Sequence, residues 1–435
     1  MQRYVYFELE SWKNTPDLKR KPLILEGARQ VGKTWLAKEF GKREFDYFVE
    51  INFEDAEELI HVFEIDFDID RILMALHSYS GLPIKAGKTL IFFDEIQYAR
   101  RGLLALKYFK EKMPQYHVMA AGSLLGVIDH QNDSFPVGKV DFLEIKPLCF
   151  EEFLLALNKN GLVELLHSAD FKTITAFKNQ YIDLLRQYYY VGGMPEVVKC
   201  FVEEKNYSSV RKIQNSILKS YERDFSKHPP HEIVKRMNLL WNSIPSQLAK
   251  ENKKFVYSAI KSGARARDFE TAIQWLCDAG LVYKVTRISH SEIPLKAFEN
   301  PDVFKLYMLD IGLQGAMCGL NSNSLINGNE LFLQFKGALT EQFVLQELKL
   351  KIDKNIFYWS PTSSIAEMDF VIQYEGEAIP IEVKAEQNLR AKSIGVYISQ
   401  NHPKLVIRTS MADFKKGEQV TDLPLYAYSI FHQLL

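Results

Sequence analysis

The residues from Gly27 to Thr34 have types and a spacing that could bind a phosphate. They follow the pattern G-x-x-x-x-G-K-[ST] without a gap. Glycines in such a loop let successive backbone N–H groups converge on a phosphate, and a helix that follows adds its positive N-terminus. The sequence therefore predicts a nucleotide-binding loop that consists of Gly27, Ala28, Arg29, Gln30, Val31, Gly32, Lys33 and Thr34.

Two side chains at the end of this loop have separate expected tasks. Lys33 would reach the β- and γ-phosphates of ATP, and the Thr34 hydroxyl would hold Mg²⁺. The flanking residues agree, because residues 22–25 indicate a short buried strand and residues 35–40 indicate a helix that ends at Gly41. Strand, loop and helix thus follow one another in the order that this kind of site requires.

An acidic pair follows a second apolar strand. Residues 89–93 are predicted to form a buried parallel strand, and Asp94 and Glu95 come directly after it. Asp94 would join Thr34 in holding Mg²⁺, directly or through water, and Glu95 would accept a proton from the attacking water. The alternative is that the two acids only mark the point where the strand reaches solvent.

A further apolar segment, residues 118–121, precedes Gly122 and Ser123. In a doubly wound sheet this strand would lie beside the strand that enters the phosphate-binding loop. The Ser123 hydroxyl would then lie near the γ-phosphate or the attacking water. The alternative is a turn built of small residues.

The C-terminal region contains a second set of side chains that could act on phosphates. Residues 369–384 are predicted to form a hairpin with its turn at residues 375–376. Asp369 then faces Glu382 with β-carbons about 5 Å apart, and Lys384 shares their face. Two opposed carboxylates repel each other unless a cation lies between them, which suits Mg²⁺ or Mn²⁺. The alternative is an ordinary cross-strand ion pair on a solvated face.

Several motifs together carry a resemblance to a known family. They are residues 27–34, 93–97, 121–123, 147–153, 190–195 and 305–313. With these motifs the chain resembles, over nearly its whole length, AAA-type ATPases of bacteria and archaea that carry a C-terminal domain of poorly defined function. The resemblance implies that Ser123 is the polar sensor residue.

The same resemblance implies an arginine supplied by a neighbouring subunit. Many relatives have an arginine where this chain has Lys139, and a lysine cannot make the same planar bidentate contact. Arg100 and Arg101 are the alternatives in this chain.

The C-terminal hairpin resembles the PD-(D/E)xK nuclease pattern, whose members hydrolyse phosphodiesters with a divalent metal. The resemblance implies that Asp369, Glu382 and Lys384 are catalytic and that Asp369 and Glu382 hold the metal. The acid on the preceding helix would be Glu341. Ahead of Asp369 the chain has Glu367 and Met368 instead of the proline of the pattern. A nuclease-like fold retained for binding without cleavage is the other possibility.

Composition describes an ordinary globular protein of 435 residues, long enough for roughly three domains. The four cysteines form no C-x-x-C pair, so neither a zinc ribbon nor a disulfide framework is indicated. Neither a signal peptide nor an apolar run that could span a bilayer is evident, which predicts a cytoplasmic protein without a membrane partner.

The middle of the chain is helical by pattern and basic by charge. Residues 150–225 are predicted to be helical, as expected for the lid of an AAA core. A short helix at 256–260, a helix at 268–279 and a strand at 281–288 follow in the order of a winged helix. Residues 199–270 hold 15 Lys and Arg against 8 Asp and Glu, so DNA is an expected partner, and a protein partner is the alternative.

The predicted fold class is α/β with five parts. They are a P-loop AAA-type core at 1–148, a helical lid at 149–228, a winged-helix-like module at 229–300, a connector at 301–330 and a PD-(D/E)xK, restriction-endonuclease-like α/β domain at 331–435. Two functions remain open. One is an ATP-hydrolysing enzyme that acts on DNA, and the other is an ATP-controlled switch or scaffold whose last domain only binds a partner. A homo-oligomer is compatible with both, and a small-molecule kinase is disfavoured because Asp94 and Glu95 suit water activation.

Overall fold

The computed structural model describes residues 2–122, 138–225, 231–249, 254–322, 330–352, 356–361, 366–385 and 392–435. These residues form two compact units. The described residues within 2–146, together with 278–280, form the N-terminal unit, and those within 147–277 and 281–435 form the C-terminal unit. This division is coarser than the five-part division, which stays a prediction.

The N-terminal unit is built on a parallel sheet. Its strands are β1 (Leu23–Glu26), β2 (Tyr47–Asn52), β3 (Thr89–Asp94), β4 (His117–Ala121) and β5 (Asp141–Glu144). Their order in the sheet is β2-β3-β4-β1-β5. Every residue of β3 and β4 is buried, as expected for central strands covered on both faces. The predicted pairing of β4 with β1 is confirmed.

Helices surround this sheet, and one of them differs from its predicted end. They are α1 (Val5–Lys13), α2 (Lys33–Glu44), α3 (Glu57–Ile65), α4 (Ile69–Ser80) and α5 (Arg100–Lys112), with a 3-10 turn at Ile96–Tyr98. The prediction that the helix ends at Gly41 is wrong, because α2 continues to Glu44. A β-carbon on Gly41 would lie 2.1 Å from the Phe48 ring, so this glycine allows close packing against β2.

The C-terminal unit begins with helices, as predicted for residues 150–225. They are α6 (Phe150–Ala156), α7 (Asn160–His167), α8 (Phe171–Ala176), α9 (Lys178–Val191), α10 (Pro195–Glu204) and α11 (Tyr207–Asp224). Next come α12 (His231–Leu248), a 3-10 turn at Tyr257–Ala259 and α13 (Ala266–Asp278). Among the described residues, no helix of the chain is both long and apolar enough to cross a membrane.

A mixed sheet forms the second half of this unit. Its strands are β6 (Val282–Ile288), β7 (Glu299–Met308), β8 (Ile356–Trp359), β9 (Met368–Tyr374), β10 (Glu377–Val383), β11 (Val406–Ser410), β12 (Lys415–Lys416) and β13 (Val420–Pro424). The order is β12-β13-β11-β10-β9-β8-β6-β7. The remaining elements are α14 (Ile311–Met317), α15 (Glu330–Lys351), α16 (Lys392–Asn401) and 3-10 segments at Leu295–Phe298 and Leu425–Leu434.

The strand pairing of this sheet differs from the pairing expected for a separate winged-helix module. The helix, turn and strand order predicted at residues 256–288 is present, and Phe269 and Ile273 lie on the buried face of α13. However, β6 pairs with β8 as well as with β7. The β6–β7 hairpin therefore continues into the strands of the domain predicted at 331–435. The predicted connector at 301–330 contains most of β7 and all of α14. Strand pairing over a long sequence separation overrides the local pattern here.

Polar side chains of α15 bind backbone groups of neighbouring segments. The Gln342 amide accepts a hydrogen bond from Met308 N over 3.0 Å and donates one to Met308 O over 2.6 Å. Gln346 Oε1 accepts one from Ile311 N over 3.0 Å. These bonds fix α15 against the end of β7, which is an edge strand of the sheet.

Three motifs that lacked an evident chemical task meet in a buried junction. Asp310 accepts hydrogen bonds from Gly193 N over 2.6 Å and from Leu313 N over 2.9 Å. Leu148 N donates to Gly193 O over 2.7 Å, and a β-carbon on Gly193 would lie 2.0 Å from Leu148 O. Burial raises the pKa of Asp310 to about 6, although these backbone donors oppose the shift. The motifs at 147–153, 190–195 and 305–313 therefore contact one another in the interior of the C-terminal unit.

The carboxyl of Glu347 on α15 belongs to the same interior. Phe150 N, at the start of α6, donates to Glu347 Oε1 over 2.8 Å. The side chain is fully buried. Burial raises the pKa of Glu347 to about 8, with Glu151 and Glu152 adding to the shift and the Phe150 hydrogen bond opposing it. Glu347 is therefore largely protonated at neutral pH.

Candidate functional site

The phosphate-binding loop has the backbone conformation that its glycines permit. Gly27 and Gly32 have φ angles of 131° and 95°, in the region that favours glycine. A β-carbon on Gly27 would lie 2.3 Å from Ile145 O, so no larger residue fits there. Gly32 directly precedes α2, whose first residues are Lys33 and Thr34. The loop therefore ends at the positive end of a helix dipole.

Lys33 lies against the loop. Its Nζ donates to Gly27 O over 2.8 Å and to Ala28 O over 2.9 Å. Burial lowers the pKa of Lys33 to about 8, whereas the charges of Glu95 and Asp94 oppose this shift. A phosphate beside the ammonium would offer stronger acceptors than these two carbonyls. The loop thus holds a cation close to the place where phosphate is expected.

Thr34 and Asp94 come together as the sequence predicts. Thr34 Oγ1 donates to Asp94 Oδ2 over 2.8 Å, and Glu95 N donates to Asp94 Oδ1 over 3.1 Å. Asp94 is 6% exposed. Burial raises its pKa, the Thr34 hydrogen bond opposes this effect, and the Glu95 charge adds to it. A hydroxyl and a carboxylate in contact are oxygen ligands of the kind that Mg²⁺ prefers, so the two residues fit this ion.

Glu95 has a partner that the sequence did not assign to the site. Its backbone is left-handed, with φ 50°, and it begins the turn at Ile96–Tyr98. Gln97 Nε2 donates a hydrogen bond to Glu95 Oε2. Such a donor holds the carboxylate in one orientation. The sequence contains a signal for this contact, because the amide side chain of Gln97 follows Glu95 by two residues at the end of β3.

Of the other residues predicted for this site, Lys139 and Arg101 contact side chains of the N-terminal unit. Ser123 lies outside the described residues. Lys139 forms an ion pair with Glu111 over 2.9 Å. The Arg101 guanidinium lies 4.6 Å from the centre of the Phe67 ring. An arginine that acts in a neighbouring subunit, with Arg100 and Arg101 as alternatives, therefore stays a prediction.

The C-terminal hairpin has the predicted register. β9 and β10 pair in antiparallel from Tyr374 with Glu377 to Phe370 with Ile381. One step further along both strands lie Asp369 and Glu382, the two acids expected to face each other.

Backbone and side-chain groups surround these two acids. Val383 N donates to Asp369 Oδ2 over 2.8 Å, and Lys384 Nζ lies 2.5 Å from Glu382 Oε1. Glu382 is 3% exposed, and its Oε2 has no hydrogen-bond partner among the described residues. Burial raises the pKa of Glu382, whereas Lys384 opposes the shift. The pKa of Lys384 is also raised, because the carboxylates outweigh the effect of its burial.

Three further polar side chains belong to this cluster and were not predicted. Lys305 Nζ lies 2.5 Å from Glu367 Oε1 and 4.0 Å from Glu341 Oε2. Tyr307 OH donates to Glu341 Oε2 over 3.0 Å. Burial disfavours the charge of Lys305, but Glu341, Glu367 and Asp369 raise its pKa above the ordinary value. The signal was the alternation of Lys305 and Tyr307 in the otherwise apolar C-terminal half of β7.

We name the set of Lys305, Tyr307, Glu341, Glu367, Asp369, Glu382 and Lys384 the acidic cluster. With the acids and lysines ionised and Tyr307 neutral, four carboxylates face two ammonium groups, and one divalent cation would balance the remaining charge of −2. Among the described residues, no three His, Cys, Asp or Glu side chains are grouped to hold a metal together. Asp369 and Glu382 would hold it as a pair, completed by water or phosphate oxygens, as Mg²⁺ commonly is. The unpartnered Glu382 Oε2 fits such a pair.

The parallel sheet, the loop and the acidic strand end define an α/β domain of the P-loop ATPase class. The family model described as AAA domain matches residues 19–154. The chain therefore contains an AAA-type P-loop ATPase domain. Two models described as domains of unknown function match parts of the remainder, DUF8612 at residues 182–324 and DUF4143 at residues 336–428.

Comparisons with whole proteins give distant likenesses. The Walker-type ATPase PABY2304 of Pyrococcus abyssi is 12% identical, with 72% of this chain and 95% of that chain covered and a TM-score of 0.44. AMPPCP-bound DnaA from Aquifex aeolicus is 13% identical, with coverage of 64% and 89% and a TM-score of 0.25. No curated protein matches this chain.

Proposed function

We propose that this protein binds ATP with Mg²⁺ at the loop from Gly27 to Thr34 and hydrolyses it to ADP and phosphate. The observation that carries the proposal is the contact of Thr34 Oγ1 with Asp94 Oδ2, because it joins the loop to the acidic strand end. The match of the AAA domain model supports it.

Each residue of the site has a separate task in this proposal. Lys33 leaves the carbonyls of Gly27 and Ala28 and neutralises charge on the β- and γ-phosphates. Thr34 and Asp94 hold Mg²⁺, which supplies positive charge at the phosphates when bound. Glu95 accepts the proton of the water whose oxygen bonds to the γ-phosphorus, while the bond to the bridging oxygen of ADP breaks.

Separate binding and turnover measurements test the ATPase. Glu95→Gln should bind ATP with unchanged affinity and hydrolyse it about 10²-fold to 10⁴-fold more slowly, because the proton acceptor is lost. Lys33→Ala should lose affinity as well as turnover. Glu57→Gln, an exposed acid of α3, is the control and should match the wild type in both. Equal turnover of wild type and Glu95→Gln would show that another group takes the proton.

The acidic cluster favours a second function, metal-dependent hydrolysis of phosphodiesters in DNA. Asp369 and Glu382 would hold the metal, Lys384 would stabilise negative charge on the phosphate, and Glu341 would complete the acidic side of the site. The observation that favours this function is the buried, unpartnered Glu382 Oε2 beside Lys384. The alternative is a nucleotide-controlled switch whose C-terminal domain binds a partner without cleaving it.

Cleavage of plasmid DNA by the full chain with Mg²⁺ or Mn²⁺ distinguishes nuclease function from the nucleotide-controlled switch. Nuclease function predicts cleavage by the wild type and a loss of at least about 10²-fold in Asp369→Asn and Glu382→Gln. Glu418→Gln, an exposed acid between β12 and β13, is the control. Undiminished cleavage by both cluster variants would contradict the assignment, and an inactive wild type that still binds DNA would favour the switch.

DNA contact would come from the basic middle of the chain. Lys261, Arg265 and Arg267 are exposed beside or at the start of α13. Exchange of all three for Gln should weaken binding of a fluorescent duplex and lower its salt dependence, because phosphate contacts release counterions. An unchanged salt dependence would favour a protein partner at this surface. A homo-oligomer with a trans-acting arginine, and a cytoplasmic location, stay predictions.

A further inference from the structure

Lys305 places a positive charge inside the acidic cluster. Its side chain is 1% exposed. The ammonium contacts Glu367 Oε1 over 2.5 Å and lies 4.9 Å from the centre of the Tyr358 ring. Burying a lysine this completely costs free energy unless carboxylates compensate for the lost water. Glu341 and Glu367 provide this compensation.

The cluster thus has two places where a cation is needed. The first lies between Glu341 and Glu367 and is filled by the Lys305 ammonium. The second lies at Asp369 and Glu382, where Glu382 Oε2 has no hydrogen-bond partner among the described residues. Lys384 contacts the other oxygen of Glu382 and leaves Oε2 available.

Glu341 is also engaged on the side of Lys305. Its Oε2 accepts the hydrogen bond of Tyr307 and lies 4.0 Å from the Lys305 ammonium. A metal ion that used Glu341 and Glu367 would have to displace this ammonium. The Lys305 ammonium on β7 therefore competes with a metal ion for Glu341 and Glu367.

We propose that Lys305 takes one of two cation positions in the acidic cluster, so that this site holds a single divalent cation, at Asp369 and Glu382. The inference rests on the proposed metal-dependent function of the cluster. It assigns Lys305 the role of a positioning residue that sets the number of metal ions.

Counting bound Mn²⁺ per chain by electron paramagnetic resonance, with the full chain and without nucleotide, tests the proposal. Lys305→Met should bind one Mn²⁺ more than the wild type, because Glu341 and Glu367 lose their built-in cation. Lys305→Arg keeps the charge and should bind the same number as the wild type. Lys404→Met is the matched control, since Lys404 is 79% exposed and pairs with Glu377 outside the cluster.

The same number of bound Mn²⁺ in folded Lys305→Met and in the wild type would overturn the proposal. If Lys305→Met is poorly folded without metal, its melting temperature is measured by circular dichroism with and without Mn²⁺, because a ligand stabilises the state that binds it. Mn²⁺ should then raise that temperature more in Lys305→Met than in the wild type, and an equal rise would overturn the inference.

Failure of the proposed function has a different signature. The double variant Asp369→Asn, Glu382→Gln should bind one Mn²⁺ fewer than the wild type. An equal number in these two proteins would reject the metal site itself, whereas the comparison of Lys305→Met with the wild type judges only the role of Lys305.

Discussion

Thr34 Oγ1 donates a hydrogen bond of 2.8 Å to Asp94 Oδ2, although sixty positions separate the two residues in the chain. The contact connects the first turn of α2 with the end of β3. The contact is possible because β1, β4 and β3 run parallel, with β4 between the other two, so that β1 and β3 end at the same edge of the sheet.

Removal of the Thr34 hydroxyl should uncouple ATP binding from Mg²⁺. In Thr34→Val the side chain keeps its shape but loses the oxygen, so the gain in ATP affinity on adding Mg²⁺ should shrink, with turnover falling about tenfold or more. Thr34→Ser keeps the oxygen and should stay near the wild type. Titration calorimetry with and without Mg²⁺ measures the effect. A full Mg²⁺ response in Thr34→Val would remove Thr34 from the metal site.

Gln97 should affect turnover and not affinity. Its amide holds one oxygen of Glu95, and Gln97→Leu removes the donor without a change in charge. We expect kcat to fall about tenfold because the carboxylate loses its fixed orientation. The ATP dissociation constant, measured on the same preparation, should not change. A parallel loss of affinity would indicate a structural role for Gln97 in the loop.

The buried carboxyl of Glu347 should make stability depend on pH. The folded protein keeps this proton up to about pH 8, whereas the unfolded chain releases it near the ordinary value of 4.5. The free energy of unfolding therefore falls as pH rises from 4.5 towards 8. Glu347→Gln removes the ionisation and should stabilise the protein by an amount on the order of 3 kcal/mol at neutral pH.

Melting curves of the full chain between pH 5 and pH 8 check this expectation. The wild type should lose melting temperature across this range, and Glu347→Gln should lose less. Glu418→Gln, which changes an exposed acid, should follow the wild type. Parallel curves for wild type and Glu347→Gln would show that Glu347 ionises normally in the folded protein.

Two glycines should respond to alanine in opposite directions. In Gly193→Ala the new methyl group would lie 2.0 Å from Leu148 O in the buried junction, so we expect a loss of about 2 kcal/mol or more. Gly395 lies in α16, where a β-carbon would meet open space. Gly395→Ala should therefore stabilise the protein by about 0.5–1 kcal/mol. Thermal unfolding of both variants gives the comparison, and equal effects would contradict this account of the junction.

Local patterns predict a large part of this structure. The loop, the strands around it and the hairpin register follow from glycine spacing, apolar runs and a two-residue turn, all of which act over short distances. Asp369 and Glu382 could be paired from sequence because a turn with known ends fixes every pair beyond it.

What the sequence did not predict depends on contacts between distant segments. Lys305 joins the acidic cluster only because β6 pairs with β8 and carries β7 into the same sheet. Gly41 looked like a helix end, but the Phe48 ring determines its role. The junction around Asp310 needs residues from three motifs, none of which shows a chemical task alone.

The bonds between Gln342 and Met308 have a consequence for behaviour in a crowded solution. An edge strand presents unpaired backbone groups that can recruit a strand of another molecule and start aggregation. At one edge, the Gln342 amide imitates such a strand and occupies the N–H and the carbonyl of Met308. At the other edge, β12 is only Lys415 and Lys416, both exposed, and their charges repel an incoming strand. At Met308 and at β12, the two borders of the sheet therefore offer an incoming strand either occupied backbone groups or exposed positive charge.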